Sequence, residues 1–296
     1  MTATATLAGS VVWLDGALVP WNAATLHMLS HGLNNASAVF EGMRVYGGRI
    51  YALREHAERL VRSARLLRLA LDRDAAAVAS AAEAVVAAEQ LTTGYVRPVV
   101  WLGEESVGIS GRGARTHLAI AAFPCGDVVP TAVRAGGARL AVSRWARPAP
   151  HMAPLQAKAS AHYAVARLAL EEARERGFDD ALLLDHMGRV AEATGANFFA
   201  VVRDALVTPP SDSALDGITR RTILALVARR GLPAHEQHLQ LADLEAASEA
   251  FLTGTAVEVL AVSQVGGLRF AAPGPVTAAL AADYARHVGS DSAPPR

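Results

Sequence analysis

Hydrophobic and polar positions along the chain alternate between two periods, and the changes of period mark its elements. Two short apolar runs at 11–14 and 17–19 flank Asp15-Gly16, a two-residue turn whose glycine takes positive φ readily, so the chain opens with a β-hairpin. Runs at 39–46 and 49–53 repeat the pattern around Gly47-Gly48. From Arg54 the period lengthens. Leu60, Ala64, Leu67 and Leu71 share one stripe with arginines on the other faces, which predicts an amphipathic helix. An alanine-rich helix over 74–90 and strands at 95–102 and 116–123 complete the first half.

Pro124 to Pro130 breaks any regular element, with a proline at each end and Gly126 between, and reads as a connector. The predicted organisation is therefore a domain over 1–123, a connector over 124–131 and a second domain over 132–296. The second half predicts a strand at 138–145, a proline-punctuated loop to Pro154 and a helix over 161–176 stopped by Gly177. Strands follow at 181–184, 189–192, 197–202 and 250–253, with helices from Thr219 and over 275–287 and a frayed tail over 290–296. Strands and helices mixed in this order give an α+β chain.

Composition narrows the partners. With 52% hydrophobic residues the chain has material for two packed cores. Acidic and basic residues balance at 28 each, so no net field recruits nucleic acid or an anionic membrane. The first residues lack the basic and apolar regions of a signal peptide, and no apolar run is long enough to span a bilayer. A single cysteine, Cys125, cannot form an internal disulfide, which fits a reducing cytoplasm.

Lys158 is the only lysine, in a chain whose other 27 basic side chains are arginine. A guanidinium stays protonated and cannot act as a neutral amine, so a chain this biased keeps lysine where amine chemistry is needed, or has kept one surface lysine by chance. Other candidates are weaker alone. The turn at 216–220 before a helix offers free N–H groups to an anion or is an ordinary cap, and the Gly254-Thr255 turn is similar. Tyr95 and Arg97, two apart in a strand, project from one face and either converge on a carboxylate or lie on a solvent face. Glu192, entering an apolar stretch, must find a cation or a proton. No Gly-x-Gly-x-x-Gly, Walker loop or Gly-x-Ser-x-Gly is present. His27 and His31, four apart, lack a third ligand nearby and are read as structural, so no metal site is expected.

The motifs Met28-Leu-Ser-His31, Val39-Phe-Glu-Gly42, Glu55-His-Ala-Glu-Arg-Leu60, Tyr95-Val-Arg-Pro98, Ala157-Lys158 with Tyr163, Glu192 with Asn197-Phe-Phe199, Gly217-Ile-Thr-Arg220 and Gly254-Thr-Ala256, in this order, anchor a match that covers nearly the whole chain. The chain resembles the class IV, fold-type IV pyridoxal-phosphate aminotransferases, most closely those of the bacterial branched-chain type. The resemblance implies a small α/β N-terminal domain and a larger C-terminal pseudo-barrel domain with the active site at their interface. It implies pyridoxal 5'-phosphate as cofactor, linked to Lys158, which also moves the proton between Cα and C4′. Glu192 would pair with the pyridine nitrogen and Tyr163 with the phenolic oxygen, while Arg59, Ile218, Thr219 and Thr255 would hold the phosphate. Tyr95 and the Thr255-Ala256 turn would take the substrate α-carboxylate, Arg97 the second carboxylate of glutamate or 2-oxoglutarate, and Phe40 a branched side chain.

The resemblance further implies amino acid and 2-oxo acid substrates and a homodimer or larger homo-oligomer, in which the segment around Asn35 and the Gly108-Ile109 loop serve the partner's site. Three departures stand out. Asn34-Asn35-Ala36 replaces the family's His-Tyr-Gly, Ser160-Ala161 replaces Gly-Gly after the lysine's alanine, and Ala193-Thr194 replaces a glycine-led turn. These leave the cofactor set whole and alter the substrate side. Other reactions on the same fold, those of D-amino acid aminotransferases, aminodeoxychorismate lyases or aminotransferases of specialised metabolites, are the alternatives.

Overall fold

The computed structural model describes residues 9–291. The chain forms two compact units. The first comprises residues up to Gly126, the short segment Ala157–Ala161 and the chain from Val288, and the second comprises Asp127–Gln156 and His162–His287. The unit boundary thus falls inside the stretch read as a connector, while the lysine segment groups with the first half of the chain rather than the second.

In the first unit, β1 (Val11–Leu14) and β2 (Ala17–Pro20) form the opening hairpin, with Asp15 and Gly16 at φ 48° and 119°. A short helix α1 (His31–Asn34) leads to β3 (Ala38–Phe40), β4 (Met43–Tyr46) and β5 (Arg49–Ile50). Helices α2 (Leu53–Leu66) and α3 (Ala75–Ala88) follow, then the long strands β6 (Thr93–Leu102) and β7 (Thr116–Pro124). The sheet order is β2-β1-β7-β6-β4-β5, with β3 also on β6.

The run expected as one strand over 39–46 is two, interrupted at Glu41-Gly42. Glu41 donates its N–H to Pro98 O at 3.0 Å, but Pro98 has no N–H to return, so the ladder lapses there. The strand expected over 49–53 ends at Ile50, because Ala52 takes a left-handed φ of 50° and turns the chain into α2. Asp74 caps α3 through its carboxylate, which accepts from the N–H of Ala77 at 2.8 Å. Leu60, Ala64, Val78, Ala82 and Val85 of the two helices pack with Val39, Met43, Val45, Val96 and Ile120 of the sheet, all fully buried. Each of the leucine, valine, isoleucine and methionine side chains among them contributes roughly 1.5–3 kcal/mol of burial.

The second unit holds α4 (Thr131–Gly136), β8 (Ala138–Ala146), α5 (Ser160–Glu175, whose first two residues belong to the first unit), β9 (Asp180–Leu184), β10 (Val190–Ala193), β11 (Asn197–Val202) and β12 (Ala205–Thr208). It continues with α6 (Ile218–Arg229), β13 (Ala234–Glu236), β14 (Ala247–Gly254), β15 (Glu258–Val265), β16 (Leu268–Arg269) and α7 (Pro275–Asp291). Strands run in the order β10-β9-β8-β15-β14-β11, and β10 pairs again with β11, so six strands close into a barrel. This is the pseudo-barrel the resemblance implied. The closing contact is the single register pair Glu192↔Asn197. Phe198, Ala200, Leu252, Val262 and Leu140 fill its core, and Phe199 stacks on Phe251 at 4.9 Å between ring centroids.

The apolar patterning left β15 unread. It pairs antiparallel with β14 and parallel with β8, a partner more than a hundred residues earlier, and so owes its place to the barrel rather than to a local turn. The tail expected over 290–296 lies outside the described residues from 292 onward, and residues 290–291 continue α7. The leader reading of residues 1–6 also falls outside them. Among the described residues no helix is long and apolar enough to cross a membrane.

Candidate active site

In the first unit the lysine is fixed through its backbone. Lys158 N–H donates to Ser63 Oγ at 3.0 Å, its carbonyl accepts from Phe40 N–H at 3.1 Å, and Ala159 forms a β-bridge with Val39. Its neighbours Ala157 and Ala159 are buried, so the chain is anchored on both sides of a partly accessible side chain. Lys158 Nζ lies 5.2 Å from the centre of the Phe40 ring, and the Arg97 guanidinium lies 4.8 Å from the same centre. Two cations thus share one aromatic ring, each attracted by its quadrupole.

Arg97 also stands 5.2 Å from the Tyr95 ring and donates from Nη2 to the Tyr95 hydroxyl at 3.3 Å. The period-two reading of Tyr95 and Arg97 as neighbours on one face therefore holds. Gly42 makes their placement feasible, since a Cβ there would sit 1.7 Å from the Tyr95 hydroxyl.

Beneath Arg59 lies a charge cluster that sequence reasoning quoted as a motif without giving it a role. Glu41, wholly buried, accepts from Arg59 Nε at 2.6 Å and Nη2 at 2.9 Å and from His56 Nδ1 at 2.8 Å. Burial alone would raise the Glu41 carboxyl, but the charges and hydrogen bonds of Arg59 and His56 override it and hold the group well below the usual carboxylate range. For His56 burial wins. It lowers the imidazole despite Glu41, helped by the positive charges of Arg59 and Lys158. Arg59 is thereby locked in one orientation by a bidentate partner.

Asn35 and Ile109 occupy a more open part of the same unit. Asn35 is exposed at the end of α1, and Ile109 is 90% exposed. They are linked through buried His31, whose Nδ1 lies 2.8 Å from Ser37 Oγ and Nε2 3.0 Å from Gly108 O. Ala36, where the family has glycine, takes a left-handed φ of 54°.

In the second unit the centre is Glu192. Its Oε2 accepts from Asn197 Nδ2 at 3.2 Å and from Leu215 N–H at 3.1 Å, and Arg147 Nε is 3.1 Å from Oε1 as an ion pair without hydrogen-bond alignment. The buried carboxylate thus has the cation its apolar setting demands. Nearby His162 is lowered by burial and then by the charge of Arg147. Asn197 Nδ2 also donates to Leu215 O at 2.8 Å, which joins Glu192 to the segment entering α6.

That helix starts at Ile218 behind Gly217 with no side-chain cap, and a Cβ at Gly217 would lie 1.9 Å from Asn197 Oδ1. Close packing excludes any larger residue, and the first-turn N–H groups of α6 lack an intrahelical acceptor. Ile218 and Thr219 are buried at this end. Thr255 and Ala256 stand in the turn between β14 and β15, and Tyr163 lies in the first turns of α5.

The fold therefore gathers Lys158, Phe40, Arg59, Tyr95 and Arg97 in the first unit and gathers Glu192 with the α6 N-terminus in the second. Sequence reasoning missed Arg147, Asn197, Glu41 and His56 as participants. The requirement that Glu192 find a cation was readable, but nothing local singled out Arg147 among 27 arginines.

The sequence profile of the family described as Amino-transferase class IV matches residues 38–265. The protein named "Probable branched-chain-amino-acid aminotransferase" of Rickettsia bellii is 42% identical over 254 residues, covering 86% of each chain. The crystal structure of the branched-chain aminotransferase from Thermoproteus uzoniensis with norvaline superposes with a TM-score of 0.91 at 36% identity, covering 96% of each chain. That of the branched-chain amino acid aminotransferase from Thermobaculum terrenum in its PLP-form superposes with a TM-score of 0.88 at 29% identity, covering 95% of this chain and 94% of that one. A profile spanning most of the chain, with relatives well above 30% identity over most of their length, places it plainly: the chain belongs to the pyridoxal-phosphate-dependent class IV aminotransferases.

Proposed function

We propose that the protein transfers the amino group of an L-amino acid with a branched or otherwise apolar side chain to 2-oxoglutarate, with Lys158 as the catalytic amine. The observation that carries this reading is the Phe40 ring, an apolar group that lies within 5.2 Å of Lys158 Nζ and 4.8 Å of the Arg97 guanidinium, measured to the ring centre. The donor set fits pyridoxal phosphate: one lysine, a buried arginine fixed by Glu41, a helix N-terminus without a side-chain cap, and a buried carboxylate already oriented by Asn197 and Leu215. Bound, the cofactor supplies an electron sink for the charge left when the substrate Cα–H bond breaks.

The chain's own residues do the rest. With the cofactor bound, Lys158 Nζ would take the proton from the substrate Cα and return it at C4′. Glu192 would accept a hydrogen bond from the pyridine nitrogen, its carboxylate kept in place by Arg147 and Asn197. Tyr163 would bond the phenolic oxygen. Arg59, the N–H groups at Ile218 and Thr219, and Thr255 would hold the phosphate. Tyr95 and the Thr255-Ala256 turn hold the α-carboxylate, Phe40 receives the side chain, and Arg97 receives the second carboxylate of the acceptor. The two compact units are read as the enzyme's domains, the working assembly as a homodimer in which the Asn35 and Ile109 segments serve the partner's site, and its place as the cytoplasm.

A half-reaction screen tests the reading. Individual amino acids are added to the pyridoxal-phosphate form while its absorbance is followed. Conversion by L-leucine, L-isoleucine or L-valine is expected, and conversion only by D-amino acids, or none by any apolar L-amino acid, overturns the substrate assignment. Arg97→Ala is expected to slow the return reaction with 2-oxoglutarate more than that with a branched 2-oxo acid.

A further inference from the structure

The sequence shows no metal-ligand spacing, but among the described residues the fold assembles one set of ligands at the base of the loop that carries Gly108 and Ile109. Glu104, Glu105 and His117 bring one ligand atom each within 4.8 Å of one another. The imidazole is prepared for such a role. His117 Nδ1 lies 2.6 Å from Asp15 Oδ2, so Nδ1–H donates to the carboxylate, and in the neutral ring Nε2 is the nitrogen that carries the lone pair. The Trp101 ring stacks on the imidazole at 5.2 Å and 21°, fixing its plane.

His117 is only 9% exposed, and its Nε2 is buried without a hydrogen-bond partner among the described residues. Such an orphaned acceptor costs roughly 1–3 kcal/mol unless something meets it. Glu105 Oε1 is 4.0 Å away, too far for a hydrogen bond. Two ligands each about 2.0–2.1 Å from a tetrahedral ion stand roughly 3.3–3.4 Å apart, a separation that a small shift of the partly exposed Glu105 carboxylate reaches. Gly103 keeps the gap open, since a Cβ there would lie 2.6 Å from His117 Nε2 and 2.5 Å from Glu105 Oε2. Two carboxylates, those of Glu104 and Glu105, share the position with Nε2, while that of Asp15 stands behind the imidazole. One guanidinium, Arg115, pairs with Glu105 at 2.7 Å. The carboxylate behind the imidazole matches the outer-shell partner that orients metal-bound histidines.

We propose that Glu104, Glu105 and His117 bind a divalent transition cation, with zinc the best match to one imidazole and two carboxylates. Asp15 is the positioning residue behind His117, and the bound ion ties the loop that carries Gly108 and Ile109 to β7. Isothermal titration of zinc chloride into the full chain, loaded with pyridoxal phosphate and freed of excess cofactor, tests it.

One zinc per chain is expected. Glu104→Gln should weaken binding at least tenfold and Asp15→Asn about 10–100-fold. His117→Gln should abolish it. Cobalt(II) should show visible d–d bands, to the red of the cofactor's absorption, that Glu104→Gln alters. Because Glu104 is exposed, its variant is expected to keep the fold, and the proposal does not depend on the His117 variant folding. No zinc binding by the wild-type chain, or zinc binding and cobalt bands unchanged by Glu104→Gln and Asp15→Asn, overturns it.

Discussion

Replacing Glu41 with glutamine keeps the shape of the side chain and removes the charge on which Arg59 and His56 both rest. Glu41 is wholly buried and Arg59 is 3% exposed, so water cannot take over the lost partnership. A glutamine amide can accept one of the two arginine N–H bonds but turns a donor towards the other. Breaking a buried pair from one side costs about 3–5 kcal/mol, because the remaining guanidinium is left buried and uncompensated. By contrast, Glu58→Gln removes the helix-surface pair with Arg54, whose side chains are 47% and 85% exposed, and should cost under about 1 kcal/mol.

The assay is urea unfolding of the cofactor-free protein, so that lost cofactor affinity does not enter. The midpoint should fall for Glu41→Gln by an amount equivalent to about 3 kcal/mol or more, and scarcely move for Glu58→Gln. The double variant Glu41→Gln/Arg59→Met should recover part of the loss, since no buried charge is then stranded. Equal losses for Glu41→Gln and Glu58→Gln, or a double variant weaker by the sum of its singles, would refute the claim that a buried charge cluster orients Arg59.

Two further outcomes follow from the same region of the chain. Ala36→Gly relieves a left-handed backbone at φ 54°. After the entropy glycine adds to the unfolded chain, the net gain should be about 0.5–1 kcal/mol, read as a higher melting temperature, and a lower one would contradict it. Acid should weaken the fold through His56. Its folded-state value is lowered, mainly by burial, so below about pH 6.5 the unfolded chain binds a proton that the folded chain refuses. Stability is therefore complete above that pH and falls as pH drops towards the folded value. Glu41, also lowered, acts in the same direction but only below about pH 4.3. Urea midpoints between about pH 7 and pH 5 should fall more steeply for wild type than for His56→Gln, and parallel slopes would dismiss His56 as the source.

What could be read from the residues depended on how far apart the partners stand. Asp15-Gly16 announced its hairpin because turn and strands are contiguous, and the stripe of α2 was visible because its period is local. Lys158 stood out by composition, a property that needs no geometry. Arg147 and Glu192 are forty-five residues apart, one just past the end of β8 and the other on β10, and they meet because both strands pair with β9. His117 meets Asp15 from a hundred residues away, through pairing of β1 with β7. The break at Glu41-Gly42 was missed for a similar reason. Its cause, Pro98, lies on the neighbouring strand, where a missing N–H cannot be seen from within the run it interrupts.

The barrel is stitched shut by one residue pair, and one of the two residues is Glu192. Backbone atoms make the stitch, while the carboxylate projects from it to meet Arg147, Asn197 and Leu215. Closure therefore rests on backbone atoms of Glu192, and the ion pair and hydrogen bonds on its side chain. On the role proposed for Glu192, a change of side chain at 192 should alter how the site handles charge without reopening the ring of strands. That separation lets one scaffold keep its shape while the electronic demands of its chemistry are retuned at the seam.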